Sequence, residues 1–589
     1  MRDRQSCNAH SFSGLFPVVI VIGTFSKLFQ LLTRKQRREF YILQGFMFAA
    51  ALSELVGTVS IMPFIALASN PEIVHTNNYF AQLYQLMGAP SHEKFLVSVG
   101  LIFIGLIVTA NVTMTITQFL MNRYSFRVGG ELSARLYKYY LSQNVLYHAR
   151  TNASELVQKV MRDSFILSTF LMVPTLRLNA RFFSIALLAG MIVYIDPIVA
   201  STTVLVLGCV YWFFYRFVRR VIHKNGLLIS QLGQQRNQIL DESFGGIRDV
   251  KLYAYEAGYL SQYKRDTKRS DRASADNLIL GEVPYFFVET VVLAGMVLLT
   301  LYLYSAESGL SAALPMLTLY CLAGIKIVPK VQQSYLAVTK IRSAQPVFDR
   351  LRSDLKASLK ASQFQGQDVR IMNPKHAIEI KGLSFSYGNG AAPLFADFSE
   401  SFESGKVTAV TGSSGAGKST LLEIVMGLVQ PQDGYIAIDG EPLCERDLPN
   451  WRASIGYVPQ EVYLMDSSIA ENIAFGEDRE DIDMERVARV ARYASLEQTI
   501  ASLPDGYWTQ IGERGGLLSG GQRQRIGIAR ALYRNVSVLF LDEATSALDA
   551  DTQSDVLTVL AQLEPKITVL MITHRVETLA LADKVIRLG

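Results

Sequence analysis

Cysteine is scarce in this chain, and charged residues are fewer than in an ordinary soluble domain. The four cysteines, Cys7, Cys209, Cys321 and Cys444, form no C-x-x-C pair, so we expect free thiols rather than a redox or zinc motif. Only 19% of the 589 residues are charged and 50% are apolar, which excludes intrinsic disorder, and the length excludes a small disulfide-stapled scaffold. The composition favours a membrane protein with more than one domain.

A strong excess of basic residues is also lacking. The chain has 57 Lys and Arg against 52 Asp and Glu, a formal net charge of +5. This is far below the charge of a nucleic-acid-binding protein, so we expect no nucleic-acid partner. What matters is where the basic residues lie along the chain.

Six apolar runs in the first part of the chain are long enough to cross about 30 Å of hydrocarbon. The cluster Arg34, Lys35, Arg37 and Arg38 precedes the first run, whereas Lys94 is the only Lys or Arg in the first loop, 69–94. Under the positive-inside rule the cluster is cytoplasmic and the loop external. The predicted spans are roughly residues 40–68, 95–120, 168–195, 198–218, 283–304 and 310–329.

The stretches predicted to be cytoplasmic, 121–167 and 219–282, contain no proline. We expect the spans to continue through them as long helices, with 95–140 forming a rod of roughly 70 Å. Soluble helical hairpins inserted between the spans are the alternative.

The N-terminal segment, 1–39, contains an apolar run at 15–22 that is too short to span a membrane. No small-residue cleavage site follows this run, so we expect no signal peptide. Residues 26–32 fit an amphipathic helix that lies at the membrane interface.

The second half of the chain has the alternating strands and helices of a soluble α/β domain. We expect this domain at 376–589, after a membrane domain at 40–345 and a polar linker at 346–375. A predicted strand at 407–410 leads into the pattern G-x-x-x-x-G-K-[ST], in the context that a phosphate-binding loop requires. Its residues are Gly412, Ser413, Ser414, Gly415, Ala416, Gly417, Lys418, Ser419 and Thr420.

Each residue type in this loop suits phosphate chemistry. The glycines let successive backbone N–H groups surround the phosphates, and Lys418 supplies a positive charge. The Ser419 hydroxyl is a candidate Mg²⁺ ligand. A second predicted strand, 538–541, ends in Asp542 and Glu543, where one carboxylate can hold Mg²⁺ and the other can deprotonate the attacking water. The alternatives are a plain glycine turn and an ordinary acidic strand end.

The segment Leu518-Ser519-Gly520-Gly521-Gln522 resembles the signature motif of the ATP-binding-cassette family. The resemblance implies that Tyr387 stacks on adenine, that Gln460 contacts Mg²⁺, and that His574 reaches the γ-phosphate. It also implies a dimer contact at 546–549 and an ATP hydrolase in which Ser519, Gly520, Gly521 and Gln522 bind the partner's nucleotide. Gln510 departs from the glutamate of many exporters, which leaves its coupling contact open.

The order of the domains is similar to that of exporter half-transporters. It implies an all-α transmembrane domain with six helices, followed by an α/β P-loop nucleotide-binding domain, acting as a homodimer with ATP and Mg²⁺. Coupling helices are expected near 151–157 and 244–250.

Within that class the chain resembles bacterial lipid-linked-oligosaccharide flippases. The resemblance implies a bacterial inner-membrane protein that translocates a polyprenyl-pyrophosphate-linked oligosaccharide, with an amphipathic external helix at 79–87. Packing of that helix on neighbouring spans is the alternative. Other readings are a multidrug, lipid or peptide exporter and a membrane ATPase that regulates rather than transports.

Several charged residues lie within or near the apolar runs. Glu54 and Glu289 lie inside predicted spans, at a cost of a few kcal/mol each. Lys326, Lys330 and Arg177 could supply the cations that a pyrophosphate needs. For the two lysines, snorkelling to the inner interface is the alternative.

Overall fold

The chain folds into two units, each described here by itself. The first comprises the chain up to Gln143 together with Arg150–Ser362, and the second comprises Asn144–Ala149 and Gln363–Gly589. The division falls inside the predicted linker. The computed structural model describes residues 17–69, 81–82, 84–85, 91–195, 197–305, 310–359, 370–388, 392–543, 558 and 566–589.

The described part of the first unit consists of helices joined by short turns. The helices are α1 Pro17–Gln30, α2 Arg34–Val59, α3 Ile61–Ser69, α4 His92–Leu141, α6 Ala153–Ile195, α7 Pro197–Gly245, α8 Ile247–Leu252, α9 Glu256–Ser305 and α10 Leu310–Ala357. Two π-helical stretches, Lys159–Asp163 and Leu167–Met172, interrupt α6. The short helix α5 Val145–Arg150 falls almost entirely in the second unit.

Four helices are apolar and long enough to cross a membrane, counting only the described parts of the chain. They lie at Arg34–Ile65, Glu93–Leu141, Ala153–Ile195 and Glu256–Leu298. The fourth and sixth predicted spans fall in α7 and α10. The long rod is confirmed, since α4 is one helix of 50 residues, about 75 Å at 1.5 Å per residue.

The first predicted span, 40–68, overlaps the candidate span Arg34–Ile65, but it contains a helix break that its hydropathy did not indicate. α2 ends at Val59, and α3 begins at Ile61. Pro63 has no N–H to donate to the Val59 carbonyl, so the helical ladder cannot continue across this point. The Ser60 hydroxyl donates to the Gly57 carbonyl at 3.1 Å.

The predicted external helix at 79–87 lies largely outside the described residues. Within it, Tyr84 packs beside Leu67 and Phe95, with the Tyr84 and Phe95 rings edge to face at 5.1 Å. For this one side chain, the contact fits packing on neighbouring helices.

The second unit contains two sheets. A four-stranded antiparallel sheet has the order β2-β1-β4-β5, and a five-stranded parallel sheet has the order β6-β7-β8-β3-β9. The strands are β1 Ala377–Phe385, β2 Phe395–Glu403, β3 Val407–Gly412, β4 Asp433–Ile438, β5 Glu441–Pro442, β6 Ile455–Val458, β7 Val538–Asp542, β8 Thr568–Ile572 and β9 Lys584–Leu588.

Helices and short turns cover the parallel sheet. Every residue of β7 and β8 is buried, as expected for central strands covered on both faces. The helices are α11 Lys418–Val425, α12 Leu448–Ala453, α13 Ile469–Ile473, α14 Met484–Tyr493, α15 Glu497–Ala501, α16 Gly520–Tyr533 and α17 Val576–Leu579. The strands predicted at 378–385, 407–410 and 538–541 are confirmed.

The strand register sets the position of the candidate site. β3 and β7 both pair in parallel with β8, and Val410 and Asp542 lie on either side of Ile572. The carboxyl ends of these strands therefore meet at one edge of the sheet, where ligands of open α/β sheets bind.

Candidate functional site

The loop between β3 and α11 has the conformation of a phosphate-binding loop. Gly417 precedes the helix with φ +89°, and a Cβ there would lie 2.9 Å from the Phe395 ring. A Cβ on Gly412 would lie 2.3 Å from the Leu588 carbonyl oxygen. Only glycine fits at these two positions, so the loop can curl tightly before the N-terminus of α11.

Lys418 lies over this loop. Its Nζ donates to the carbonyl oxygens of Gly412 and Ser413, both at 2.9 Å, and the residue is buried. The ammonium group is thus held where a phosphate chain would lie, against two neutral acceptors that an anion can replace.

Asp542 lies opposite the start of α11 and accepts a hydrogen bond from the Ser419 side chain. Burial raises the pKa of the Asp542 carboxyl above its ordinary value, and the charge of Glu543 acts in the same direction, whereas Ser419 and Lys418 lower it. A buried carboxylate beside a hydroxyl is a hard-oxygen pair of the kind that Mg²⁺ prefers. The predicted ligands Ser419 and Asp542 therefore fit the ion.

Glu543, Gln460 and His574 form a second cluster at the same edge. The Gln460 side-chain amide donates to the Glu543 carboxylate at 3.0 Å, and His574 Nε2 lies 3.6 Å from the other carboxylate oxygen. Glu543 has φ +48°, a conformation that a non-glycine residue adopts at a cost of about 1–3 kcal/mol. The two contacts hold the carboxylate beside Ser419 and Asp542, the candidate metal ligands.

Tyr387 lies at the rim of the loop, and its side chain is half exposed. Its hydroxyl is 2.5 Å from the Thr420 hydroxyl, and its ring stands edge to face with Phe385 at 5.2 Å. The half-exposed ring thus lies beside the start of α11, next to the phosphate loop.

The signature residues are not brought to the phosphate loop of their own chain. Ser519 caps α16 by accepting from the Gln522 N–H at 3.3 Å, and the Gln522 side chain accepts from the Ser519 N–H at 2.8 Å. Among the described residues, α16 packs on α13, α14 and β6. The motif is a helix N-terminus that can accept an anion from outside. The predicted dimer contact at 546–549 lies outside the described residues.

Glu423 is a site residue that sequence analysis missed. It lies one turn after Ser419 on α11, and both burial and the charge of Asp542 raise the pKa of its carboxyl. The spacing of four residues, which places two side chains on one helix face, was the available signal.

A cavity in the first unit brings the predicted cations of the substrate path together. It has a volume of about 340 Å³ and lies between α2, α4, α6 and α10. Lys326, Lys330 and Arg177 line it, and so does Arg181, which sequence analysis missed although it follows Arg177 by one helical turn. Lys330 pairs with Glu54, and Lys326 Nζ lies 3.8 Å from the same carboxylate. The two lysines therefore point into the unit, which disfavours snorkelling.

Comparisons with known proteins match both halves of the chain. A family model described as ABC transporter matches residues 395–546, and one described as ABC transporter transmembrane region matches residues 73–305. The solved structure of a bacterial Atm1-family ABC exporter with ATP bound shares the fold, with a TM-score of 0.71 at 20% identity, over 92% of this chain and 93% of that one.

Curated relatives are named ATP-dependent lipid A-core flippase. The protein from Saccharophagus degradans is 35% identical over 65% of this chain and 63% of its own length. That from Xylella fastidiosa strain Temecula1 is 32% identical over 62% and 61%. The chain thus spans less than two thirds of these two relatives. The protein from Burkholderia pseudomallei strain 1710b is 28% identical over 82% and 80%. Both ABC transporter family models match, the transmembrane model before the nucleotide-binding one, and the fold is that of a solved ABC exporter. The chain therefore belongs to the ABC transporters.

Proposed function

We propose that this chain is an ATP-driven flippase that moves a lipid with an anionic head group from the cytoplasmic to the outer leaflet of a bacterial inner membrane. The names of the relatives, all lipid A-core flippases, support a lipid substrate. The more specific substrate that we propose is a polyprenyl-pyrophosphate-linked oligosaccharide. Its lipid tail is soluble in the bilayer, so the costly step is to move the charged head group through a low dielectric.

The observation that carries this proposal is the cation cavity between α2, α4, α6 and α10. Arg177 donates to the Asn122 side-chain oxygen at 3.4 Å, and Arg181 donates to the Gln333 carbonyl at 2.8 Å. Both acceptors are neutral. Guanidinium groups inside a membrane unit are costly, so they usually mark a functional site. Phosphate oxygens are acceptors that match their geometry and charge.

The nucleotide site has the residues that ATP hydrolysis needs. Lys418 exchanges its two loop carbonyls for the β- and γ-phosphates, and the N–H groups at the start of α11 face the same anions. Ser419 and Asp542 would hold Mg²⁺, which supplies charge neutralisation of the phosphates when bound. Glu543 accepts the proton of the attacking water, while Gln460 and His574 keep its carboxylate in place.

Two chains are needed for this chemistry, so we propose a symmetric homodimer in which Ser519 of one chain meets the nucleotide bound at Lys418 of the other. Either chain alone leaves the N-terminus of α16 without an anion. ATP between the two chains then joins them, and hydrolysis separates them.

Cross-linking tests the dimer. In a background without native cysteines, Ser413→Cys is placed in one tagged chain and Ser519→Cys in a second chain with another tag. Because the head-to-tail arrangement joins unlike positions, we expect ATP to promote disulfides between the two tags and not between like tags. The proposed arrangement would be ruled out if the only covalent dimers joined two chains with the same tag.

A flipping assay tests the substrate path. In proteoliposomes, Lys326→Gln with Lys330→Gln should slow translocation of a lipid-linked oligosaccharide about tenfold or more, since each charged contact is worth about 1.5–3 kcal/mol. Basal ATP hydrolysis should stay within about twofold, because neither lysine belongs to the nucleotide site. The double variant Lys340→Gln with Lys356→Gln, which removes two exposed lysines from the same helix, is the matched control.

The substrates compared in that assay are a lipid-linked oligosaccharide, a lipid A-core and a zwitterionic phospholipid. Faster flipping of the first supports the specific proposal, and faster flipping of the second assigns the substrate of the named relatives. Equal rates for the lysine variant and its control would remove the cavity from the path and favour a drug or peptide exporter.

A further inference from the structure

Glu54 occupies an unusual position among the cations of the membrane unit. It lies on α2, and its side chain is only 9% exposed. Its carboxylate contacts Lys330 and lies 3.8 Å from Lys326 Nζ. One buried carboxylate is therefore shared by two lysines of α10.

In and around the cation cavity, positive charges outnumber negative charges. Its described lining residues include four cations, Arg177, Arg181, Lys326 and Lys330, and no carboxylate, and the one acid in contact with them is Glu54. A buried ion pair contributes little to stability once the desolvation of both groups is counted, so stability alone does not explain the cluster. The surplus of positive charge suits a ligand that carries more than one negative charge.

Glu54 also lines a second cavity, which its carboxylate can enter by a change of side-chain rotamer. This cavity has a volume of about 410 Å³ and is lined by Glu54 together with Asn111, Thr115 and Gln118. The two cavities share Met114 and Gln118 as lining residues. The Thr115 hydroxyl donates to the Asn111 carbonyl at 2.8 Å, so the donors of this space are the side-chain amides of Asn111 and Gln118. Glu54 thus lies between a cation-lined space and a space with amide donors.

We infer that Glu54 is the resident counter-ion of the cation cavity: it neutralises Lys326 and Lys330 while no substrate is bound, and an anionic head group displaces it. The carboxylate then turns toward the amides of the second cavity, and it returns to the lysines when the head group leaves. This inference rests on the proposed flippase function. It makes Glu54 a residue that sets head-group affinity, strong enough for capture and weak enough for release.

Binding of farnesyl pyrophosphate to the detergent-purified protein tests this, with saturating ADP to fill the nucleotide sites and farnesol as the neutral probe. Glu54→Gln removes the competitor for the lysines, so it should bind farnesyl pyrophosphate about tenfold more tightly, the size of one charge-assisted contact. Farnesol binding should not change. Flipping of the lipid-linked substrate should become slower, because release loses its competitor. Glu93→Gln, which removes an exposed carboxylate from α4, is the matched control.

A purely structural role for Glu54 predicts the opposite result. Loss of the carboxylate would then disorder the lysines, so unchanged or weaker binding by Glu54→Gln overturns the inference. If that variant does not fold, Glu54→Asp keeps the charge but shortens the reach, and it should still bind more tightly than the unmodified protein. Unchanged or weaker binding by Glu54→Asp would have the same meaning.

The test separates this inference from the proposed function. Lys326→Gln with Lys330→Gln should weaken binding of farnesyl pyrophosphate whatever Glu54 does. If that variant binds farnesyl pyrophosphate and flips the lipid-linked substrate normally, the cavity is not the head-group site and the flippase proposal loses its main support. If it binds poorly while Glu54→Gln also binds poorly, the cavity remains the head-group site and only the counter-ion role is lost.

Discussion

Replacing Glu543 by Gln is expected to lower ATP turnover by about a hundredfold or more, the usual contribution of a positioned general base. ATP affinity should remain close to that of the unmodified protein. Glutamine keeps the size of the side chain and can still contact Gln460, but it cannot accept the proton of the attacking water. Lys418 and Ser419, the proposed ligands of the phosphates and the metal, are unchanged. The expected product is a chain that binds ATP and stays dimeric.

The measurement pairs steady-state phosphate release with binding of a fluorescent ATP analogue and with size-exclusion chromatography in the presence of ATP. Glu480→Gln removes an exposed carboxylate of the same unit and should leave all three readouts unchanged. Near-normal turnover in Glu543→Gln would assign the base to another group, and Glu423, which lies near Asp542, would be the first to examine.

The nucleotide site was largely predictable because its parts are local in sequence. The glycine loop, Lys418 and Ser419 follow one strand directly, and the parallel sheet brings the end of β7 to the same edge. Gln460 and His574 could not be derived this way. They come from distant segments, and only the family resemblance pointed to them before the structure placed both beside Glu543.

The membrane unit shows the limit of sequence reasoning. Each predicted span was found from its own hydropathy, but Glu54 and Lys330 are 276 residues apart, and no local pattern pairs them. The break at Ser60 was missed although Pro63 was visible, because hydropathy averages over a window and does not register one absent N–H. Arg181 could also have been predicted from the sequence, because it follows Arg177 by one helical turn.

Lys418→Ala should produce a different defect from Glu543→Gln, namely loss of nucleotide binding. In the proposed site the Lys418 ammonium makes charge-assisted contacts to phosphate, each worth about 1.5–3 kcal/mol, so affinity for ADP and ATP should fall about tenfold or more. Without nucleotide the chains should not be held together, so the ATP-dependent dimer should also be lost. Turnover falls here because the site stays empty.

Thermal unfolding separates the two defects. A ligand that binds only the folded state raises the melting temperature as its concentration exceeds the dissociation constant. ADP should therefore stabilise the unmodified protein and Glu543→Gln to a similar extent, and Lys418→Ala much less. The control is Lys406→Ala. Lys406 lies in the turn before β3, and its ammonium pairs with Glu403. This variant should keep the full rise in melting temperature that ADP causes. An undiminished shift in Lys418→Ala would mean that the backbone N–H groups of the loop hold the phosphates without the lysine.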